Sequence, residues 1–444
     1  MRRRRRTFSA ICLSTTRRIE MSRRKLSNIE HLAEVNIACS VRLAGRLDLD
    51  ELRTALACVQ RRHPALRALI RPENDVLYYQ QDAAPEIPVR AVRFGDNRSY
   101  RREWELELST AFDYDLPQLR VVYFERACDC DLLFTTSHRV CDGLSAFIIV
   151  KDVLRSLAGC VAQEAHKEIG ASDIIAEYRP SWPWLANIGI SLINTCLSLL
   201  PASRSVPKKE EYFAEWSWGR EASTAFRQRC KAAGASVHAA FLVALDRALL
   251  TILGARAPKW MTCPIDLRRG RFPAVKDDML FYGGGNFRIR TGRWIDDDFW
   301  DNACRLTREV RTHVEREVLR IPERLFWFER LRPLTCAQVR WLVRVSNALQ
   351  SPRRVRGIGV SNLGNVEFSD TDCPLPIKDV RFSAQSLNFG ILGLIPYTVN
   401  GDMRFYWMSS ENVITERELH ALKQEFTRTL EAQMARAWAE AVPA

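Results

Sequence analysis

Apolar side chains recur along this chain in two registers, one alternating and one near the helical period. Residues 36–43 read as a strand. Asp48, with Glu51 three places on, forms a capping box that opens a helix. Leu52, Leu56 and Val59 give that helix a buried stripe, and Pro64 stops it. The β-rich runs 119–125 and 131–137 flank Cys128-Asp129-Cys130 and predict a hairpin. A short loop through Gly143 then leads to a helix with Leu144, Phe147, Ile148, Leu154 and Leu157 on one face.

The later chain repeats the scheme. A strand at 212–218 precedes helices at 223–233 and 237–253 and strands at 260–267 and 286–290. Gly283-Gly284-Gly285, before the last of these, reads as a turn rather than a nucleotide loop, because no helix follows with the required spacing. A long helix is expected at 299–319, capped from the Asp296-Asp297-Asp298 run. Strands follow at 357–363 and 392–399. Asn400-Gly401 is a hairpin turn signal, 403–408 the returning strand, and Thr415 with Glu418 caps a C-terminal helix. Strand, tight turn, strand, loop, helix thus occurs at both 119–157 and 392–430. The first copy's loop reads Ser137-His138-Arg139-Val140-Cys141-Asp142-Gly143; its counterpart near Ser409-Ser410-Glu411-Asn412 has no histidine. Two similar layers with one equipped loop predict one active centre, between the halves. The expected division is a disordered basic tail at 1–25, an N-terminal half at 26–205 and a C-terminal half at 206–444, with a Pro- and charge-rich linker at 201–211.

Composition adds limits. The 444 residues are 47% hydrophobic and 27% charged, enough for a sizeable core, which excludes a disordered chain, a collagen-like repeat or a small disulfide scaffold. The net charge of +13 would point to a polyanionic partner. However, residues 1–25 carry ten cations and one anion, leaving +4 for the rest. The body therefore asks for no nucleic acid. The tail reads as disordered; Met21 offers an alternative start, the Arg-rich composition also fits a targeting segment, and a nucleic-acid arm is the least favoured reading. The segment 8–16 is too short and polar for a secretory signal core. Thirteen scattered cysteines make no zinc spacing and favour a reducing, cytoplasmic setting. Residues 180–203 hold Trp182 and Trp184 and no charge. Asn187, Asn194 and the early prolines weaken a transmembrane reading, so a buried helix or one lying on a membrane surface is expected.

His138-x-x-x-Asp142-Gly143 is the most informative string. It sits between a strand end and a helix start, where loop residues face a cleft. An imidazole can take a proton from a hydroxyl or amine near neutral pH. Asp142 is poorly placed to pair with His138 and reads as a loop anchor paired with an arginine; Gly143 permits close backbone approach. The other histidines show no cluster spacing, and His63 is placed near the catalytic loop. Ser137 lacks the Gly-x-Ser-x-Gly setting of a serine hydrolase.

With Arg62-His63-Pro64-Ala65-Leu66-Arg67, Pro264-Ile265-Asp266-Leu267-Arg268 and Val360-Ser361-Asn362-Leu363-Gly364, this string resembles the chloramphenicol-acetyltransferase-like superfamily, which includes peptide condensation domains and alcohol and polyketide-associated acyltransferases. The four segments keep the family's order and cover about residues 30–430. The resemblance implies a two-layer α/β sandwich of two similar halves forming a V-shaped pseudo-dimer with a tunnel between them. His138 would be the general base, Ser361 with Asn362 beside it the oxyanion donors, Asp142 the partner of Arg67, and Arg268 a tunnel-lining residue. The implied reaction moves an acyl group from acyl-CoA or an acyl carrier protein to a small-molecule hydroxyl or amine, with no metal or cofactor, in a monomer. Peripheral membrane contact through 180–203 and a lipophilic substrate accompany this reading. A condensation enzyme acting in trans, or an inactive acyl- or carrier-binding member, are the alternatives. Two departures stand out. Ser137 replaces the second histidine of peptide condensation domains, and Asn388-Phe389-Gly390 is only a fragment of the plant-type Asp-Phe-Gly-Trp-Gly string.

Overall fold

The computed structural model describes residues 23–73, 76–81, 84–160, 164–176, 178–200, 211–268, 271–294, 298–334, 338, 341, 355, 357–369, 373–385, 392–411 and 413–441. The first half runs β1 (Arg23–Lys25), α1 (Asn28–Leu32), β2 (Asn36–Ala44), α2 (Leu49–Arg62), α3 (Pro64–Arg67), β3 (Leu69–Glu73), β4 (Val76–Gln80), β5 (Val89–Arg93) and α4 (Asn97–Ser109). It continues through β6 (Leu119–Glu125), β7 (Asp129–Ser137), α5 (Gly143–Leu157), α6 (Ala171–Ile175) and α7 (Pro183–Ser198). The second half comprises β8 (Glu211–Trp218), α8 (Arg220–Ala232), α9 (Val237–Leu253), β9 (Trp260–Pro264), β10 (Asn286–Arg290) and α10 (Phe299–Glu329). Then come β11 (Ile358–Val360), β12 (Asn365–Val366), β13 (Ile377–Ala384), β14 (Leu392–Val399), β15 (Asp402–Ser410) and α11 (Glu416–Ala441).

Period-two alternation explains how β7 sits at the centre of its sheet. Leu132 and Phe134 pack with α2 and α5, whereas Leu133 packs with Tyr100, Trp104 and Leu108 of α4. Both faces are therefore covered. The first sheet has the order β13-β2-β7-β6-β5 and the second β10-β9-β11-β14-β15-β8, with β12 also on β14. The internal repeat is visible in these orders. In β2-β7-β6-β5 the pairings run antiparallel, antiparallel, parallel, and β8-β15-β14-β11 repeats them. Helices α5 and α11 follow in matching positions. Phe226, Phe241, Phe405, Trp407 and Phe426 fill the second half's core. Full burial of each such side chain contributes about 1.5–3 kcal/mol.

The halves are not independent. Strand β13 comes from the second half yet pairs antiparallel with β2 of the first, Phe382 opposite Cys39. Strand β14 alternates between the two cores, with Leu392 and Leu394 in the second and Ile395, Tyr397 and Val399 in the first.

Several expectations need correction. The basic tail does not stay outside the fold up to residue 25: Arg23–Lys25 form β1, paired with β4, because acidic and aromatic partners hold it. Arg24 bridges Glu30 and Glu168 and lies over Tyr79. Helix α10 continues past 319, through Pro322, to Glu329. Asp48 caps α2 through the Asp50 and Glu51 amides. Thr415 and Glu418 do form the reciprocal cap. The helix spanning Val237–Arg256 is long and apolar enough to cross a membrane by length and composition, yet α9 within it is the core helix of the second half. Residues 201–210, Asp296, Asp297 and the 388–390 fragment lie outside the described residues.

Candidate active site

Strand β7 delivers His138 at the point where its pairing with β2 ends, Asn36 opposite Ser137. The His138 amide donates to the Val35 carbonyl at 2.8 Å, which fixes the backbone as the chain turns. The imidazole Nδ1 lies 2.6 Å from the Cys141 carbonyl oxygen. A carbonyl only accepts, so Nδ1 carries the hydrogen and Nε2 the lone pair of the neutral ring. Burial lowers the pKa of His138; the Cys141 carbonyl and the charge of Asp142 oppose this, and the balance stays below the ordinary histidine value. The side chain is therefore a neutral imidazole at neutral pH. Tyr282 meets it edge-on, with ring centroids 4.5 Å apart. Burial, aided by Asp142, pushes the Tyr282 phenol up to about 12, so it stays protonated.

Asp142 is the N-cap of α5, not a partner of the imidazole. It accepts from the Ser145 amide at 2.9 Å and the Ser145 hydroxyl at 2.7 Å. Its other bonds reach the second half. Arg268 Nη1 lies 2.7 Å from Oδ2, Nη2 lies 3.2 Å from Oδ1, and the Asp142 amide donates to the Phe281 carbonyl at 3.0 Å. Burial pushes the Asp142 carboxyl up, but Arg268 and Ser145 outweigh it and hold the group below the usual carboxylate range.

This corrects the assignments made for two arginines. The partner of Asp142 is Arg268, not Arg67. The Asp266 carboxylate accepts the Arg268 amide at 3.1 Å and turns the chain after β9 toward the start of α5. Arg67 instead ends α3, its carbonyl accepting from the Ala84 amide. Nor is Arg268 a free lining residue: it is 2% exposed, and Nη2 also donates to Ser145 Oγ and the Met279 carbonyl, each at 2.9 Å.

Gly143 leaves the room that joins the two motifs. A Cβ there would lie 2.7 Å from Leu363 Cδ2, so a larger residue would have to push the Leu363 side chain aside where the Val360–Gly364 segment meets the His138 loop. Within that segment the Ser361 amide is committed to the Leu394 carbonyl at 2.9 Å, and Asn362 Oδ1 accepts from the Gly364 amide at 2.9 Å. Neither the Ser361 hydroxyl nor the Asn362 side-chain nitrogen has a hydrogen bond among the described residues. The contact between the two motifs runs through Leu363 and Gly143; no hydrogen bond joins Ser361 to His138 among the described contacts.

His63 is indeed tied to this region. Its Nε2 lies 2.7 Å from Asp152 Oδ2 on α5, and Arg62 Nη1 binds the other oxygen at 2.8 Å. A narrow pocket beside the loop is lined from both halves, by His63, Tyr79, Val140, Phe281 and Tyr282 among others; His138 is not among its lining residues. Sequence reasoning missed Ser145 and Tyr282. The Asp142-x-x-Ser145 spacing is a capping signal that was available, whereas Tyr282 sits in no motif and only the fold brings it to His138.

No protein-family model matches the chain, and no curated relative does either. Solved structures do. Polyketide synthase associated protein 5 from Mycobacterium tuberculosis superposes with a TM-score of 0.61 at 14% identity, over 92% of this chain and 98% of that one. The condensation domain of the Monacolin K polyketide synthase MokA gives 0.65 at 12% identity, over 94% and 98%. Trichothecene 15-O-acetyltransferase from Fusarium sporotrichioides gives 0.64 at 12% identity, over 93% and 95%. Two repeated halves, their strand orders and these superpositions establish that the chain has the chloramphenicol-acetyltransferase-like fold.

Proposed function

We propose that the protein is an acyltransferase that moves an acyl group from a thioester, acyl-CoA or acyl carrier protein, to a hydroxyl or amine. The observation that carries this reading is the His138 Nδ1 bond to the Cys141 carbonyl, which leaves Nε2 as the basic nitrogen. Nε2 takes the acceptor's proton as its oxygen or nitrogen bonds to the thioester carbonyl carbon. The resulting oxyanion is met by the Ser361 hydroxyl and the Asn362 amide nitrogen. Collapse breaks the carbon–sulfur bond, and the departing thiolate takes the proton back from the imidazolium. The Asp142–Arg268 pair positions the loop and touches no reacting atom. The reading needs no metal or prosthetic group.

The likeness to a condensation domain keeps amide formation on carrier-bound substrates as the second reading. A screen of acyl-CoAs with alcohols and amines, against acyl-carrier and aminoacyl-carrier proteins, separates the two by which pair releases thiol. Ser361→Ala should lower kcat with KM little changed, since its hydroxyl acts on the transition state. Unchanged kcat removes Ser361 from the reaction.

A further inference from the structure

Helix α7 carries apolar side chains on its exposed side as well as on the side that meets the protein, where Ile190 and Leu197 are half-buried. Soluble helices turn an apolar stripe to the core and polar side chains to water. Here the polar side chains Asn187 and Asn194, seven residues apart, face the protein. Asn187 Oδ1 accepts from Arg330 at 2.9 Å; Asn194 donates to the Arg330 carbonyl at 3.1 Å and accepts the Arg332 amide at 2.6 Å. Trp184, Ile188 and Leu192, at helical spacing, and Leu199 at the C-cap lie on the solvent side and are exposed. With Trp182 and Ile193 they make six of the eleven large apolar side chains exposed among the described residues, all within eighteen positions.

Other features of α7 narrow what covers this face. Thr195 and Ser198 donate their hydroxyls to the helix's own carbonyls, of Ser191 and Thr195, which suits an apolar medium. No acidic residue occurs from 180 to 203. The exposed cations Arg179, Arg330 and Arg332 flank the helix, so its border is complementary to an anionic surface. At 16 residues, about 24 Å long, α7 is too short to cross the ~30 Å hydrocarbon layer but long enough to lie within its interface.

We propose that α7 docks the protein on an anionic lipid surface, lying in the membrane plane with Trp184, Ile188, Leu192 and Leu199 inserted and Arg179, Arg330 and Arg332 at the headgroups. The same end of α10 that holds α7 also holds α1, through the Asn28 bonds to Phe328, Glu329 and Leu331; Glu30 of α1 lines the pocket beside the His138 loop. The proposal is independent of the acyl-transfer reading.

The test is flotation of the full chain with phosphatidylcholine vesicles, with and without phosphatidylglycerol. Because the basic N-terminus would also bind anionic vesicles, flotation is repeated at about 0.5 M salt, where charge attraction is largely screened. The chain should float with the anionic vesicles, and part of that binding should survive the salt. Ile188→Asp with Leu192→Asp should cut binding at least about tenfold with an unchanged melting temperature, since both side chains are already exposed. Brominated lipid should quench the fluorescence lost in Trp182→Phe with Trp184→Phe. A chain that does not float, or that floats equally well with both aspartates, overturns the proposal. So does a dimer that the aspartates dissociate without any lipid binding.

Discussion

Arg268 in the second half grips Asp142 in the first, with Nη1 2.7 Å from Oδ2 and Nη2 3.2 Å from Oδ1, and the same guanidinium reaches Ser145 Oγ and the Met279 carbonyl. Breaking a buried pair strands the remaining charge, so Arg268→Ala should cost about 3–5 kcal/mol in urea unfolding. Lysine cannot divide itself among these four acceptors, so Arg268→Lys should recover less than half of the loss. A lysine variant as stable as the parent would show that charge alone matters.

Leu363 fills the space that Gly143 leaves open, which predicts coupling between the two positions. Gly143→Ala overpacks the contact and should cost about 1–3 kcal/mol. With Leu363→Ala also present the added cost should shrink, giving a coupling of about 0.5–3 kcal/mol in a double-mutant cycle. Strict additivity would mean that the two motifs do not meet through this contact.

These relationships differ in how far they could be read beforehand. The repeat at 119–157 and 392–430 was legible because strand alternation, Asn400-Gly401 and the Thr415–Glu418 cap are local signals, and the fold contains all of them. Strand β13 was not legible: Lys378, Asp379 and Arg381 break its apolar pattern, and ion pairs to Asp129, Arg404 and Glu215 explain them only once the sheet is known. His138, Asp142 and Gly143 stood out as a string. The choice between Arg67 and Arg268 did not follow from it, because both are arginines in motifs and only the path after β9 decides which reaches Asp142. The Cys141 carbonyl that orients His138 is backbone, which any residue supplies.

His238 on α9 predicts how stability depends on pH. Burial pushes its pKa down to about 4, from 6.5. Between these values the unfolded chain takes up a proton that the folded chain refuses, so His238 makes stability fall as pH drops from about 6.5 to about 4. His238→Gln should flatten part of that slope in urea midpoints measured at pH 7 and 5. An identical slope in the variant would assign the effect elsewhere.

The pH profile of kcat/KM should carry the signature of His138. Proton abstraction needs the neutral imidazole, and its pKa lies below 6.5. Activity should be flat at neutral pH and fall on the acid side with a midpoint under 6.5. A midpoint above 7 would contradict the buried setting of the ring.

The most direct measurement is thiol release by His138→Ala, compared with the parent on whichever acyl donor and acceptor the screen identifies. A loss of about 10²–10⁴-fold in kcat is expected, with an unchanged melting temperature. Turnover equal to that of the parent would show that His138 is not the base and would remove the basis of the proposed reaction.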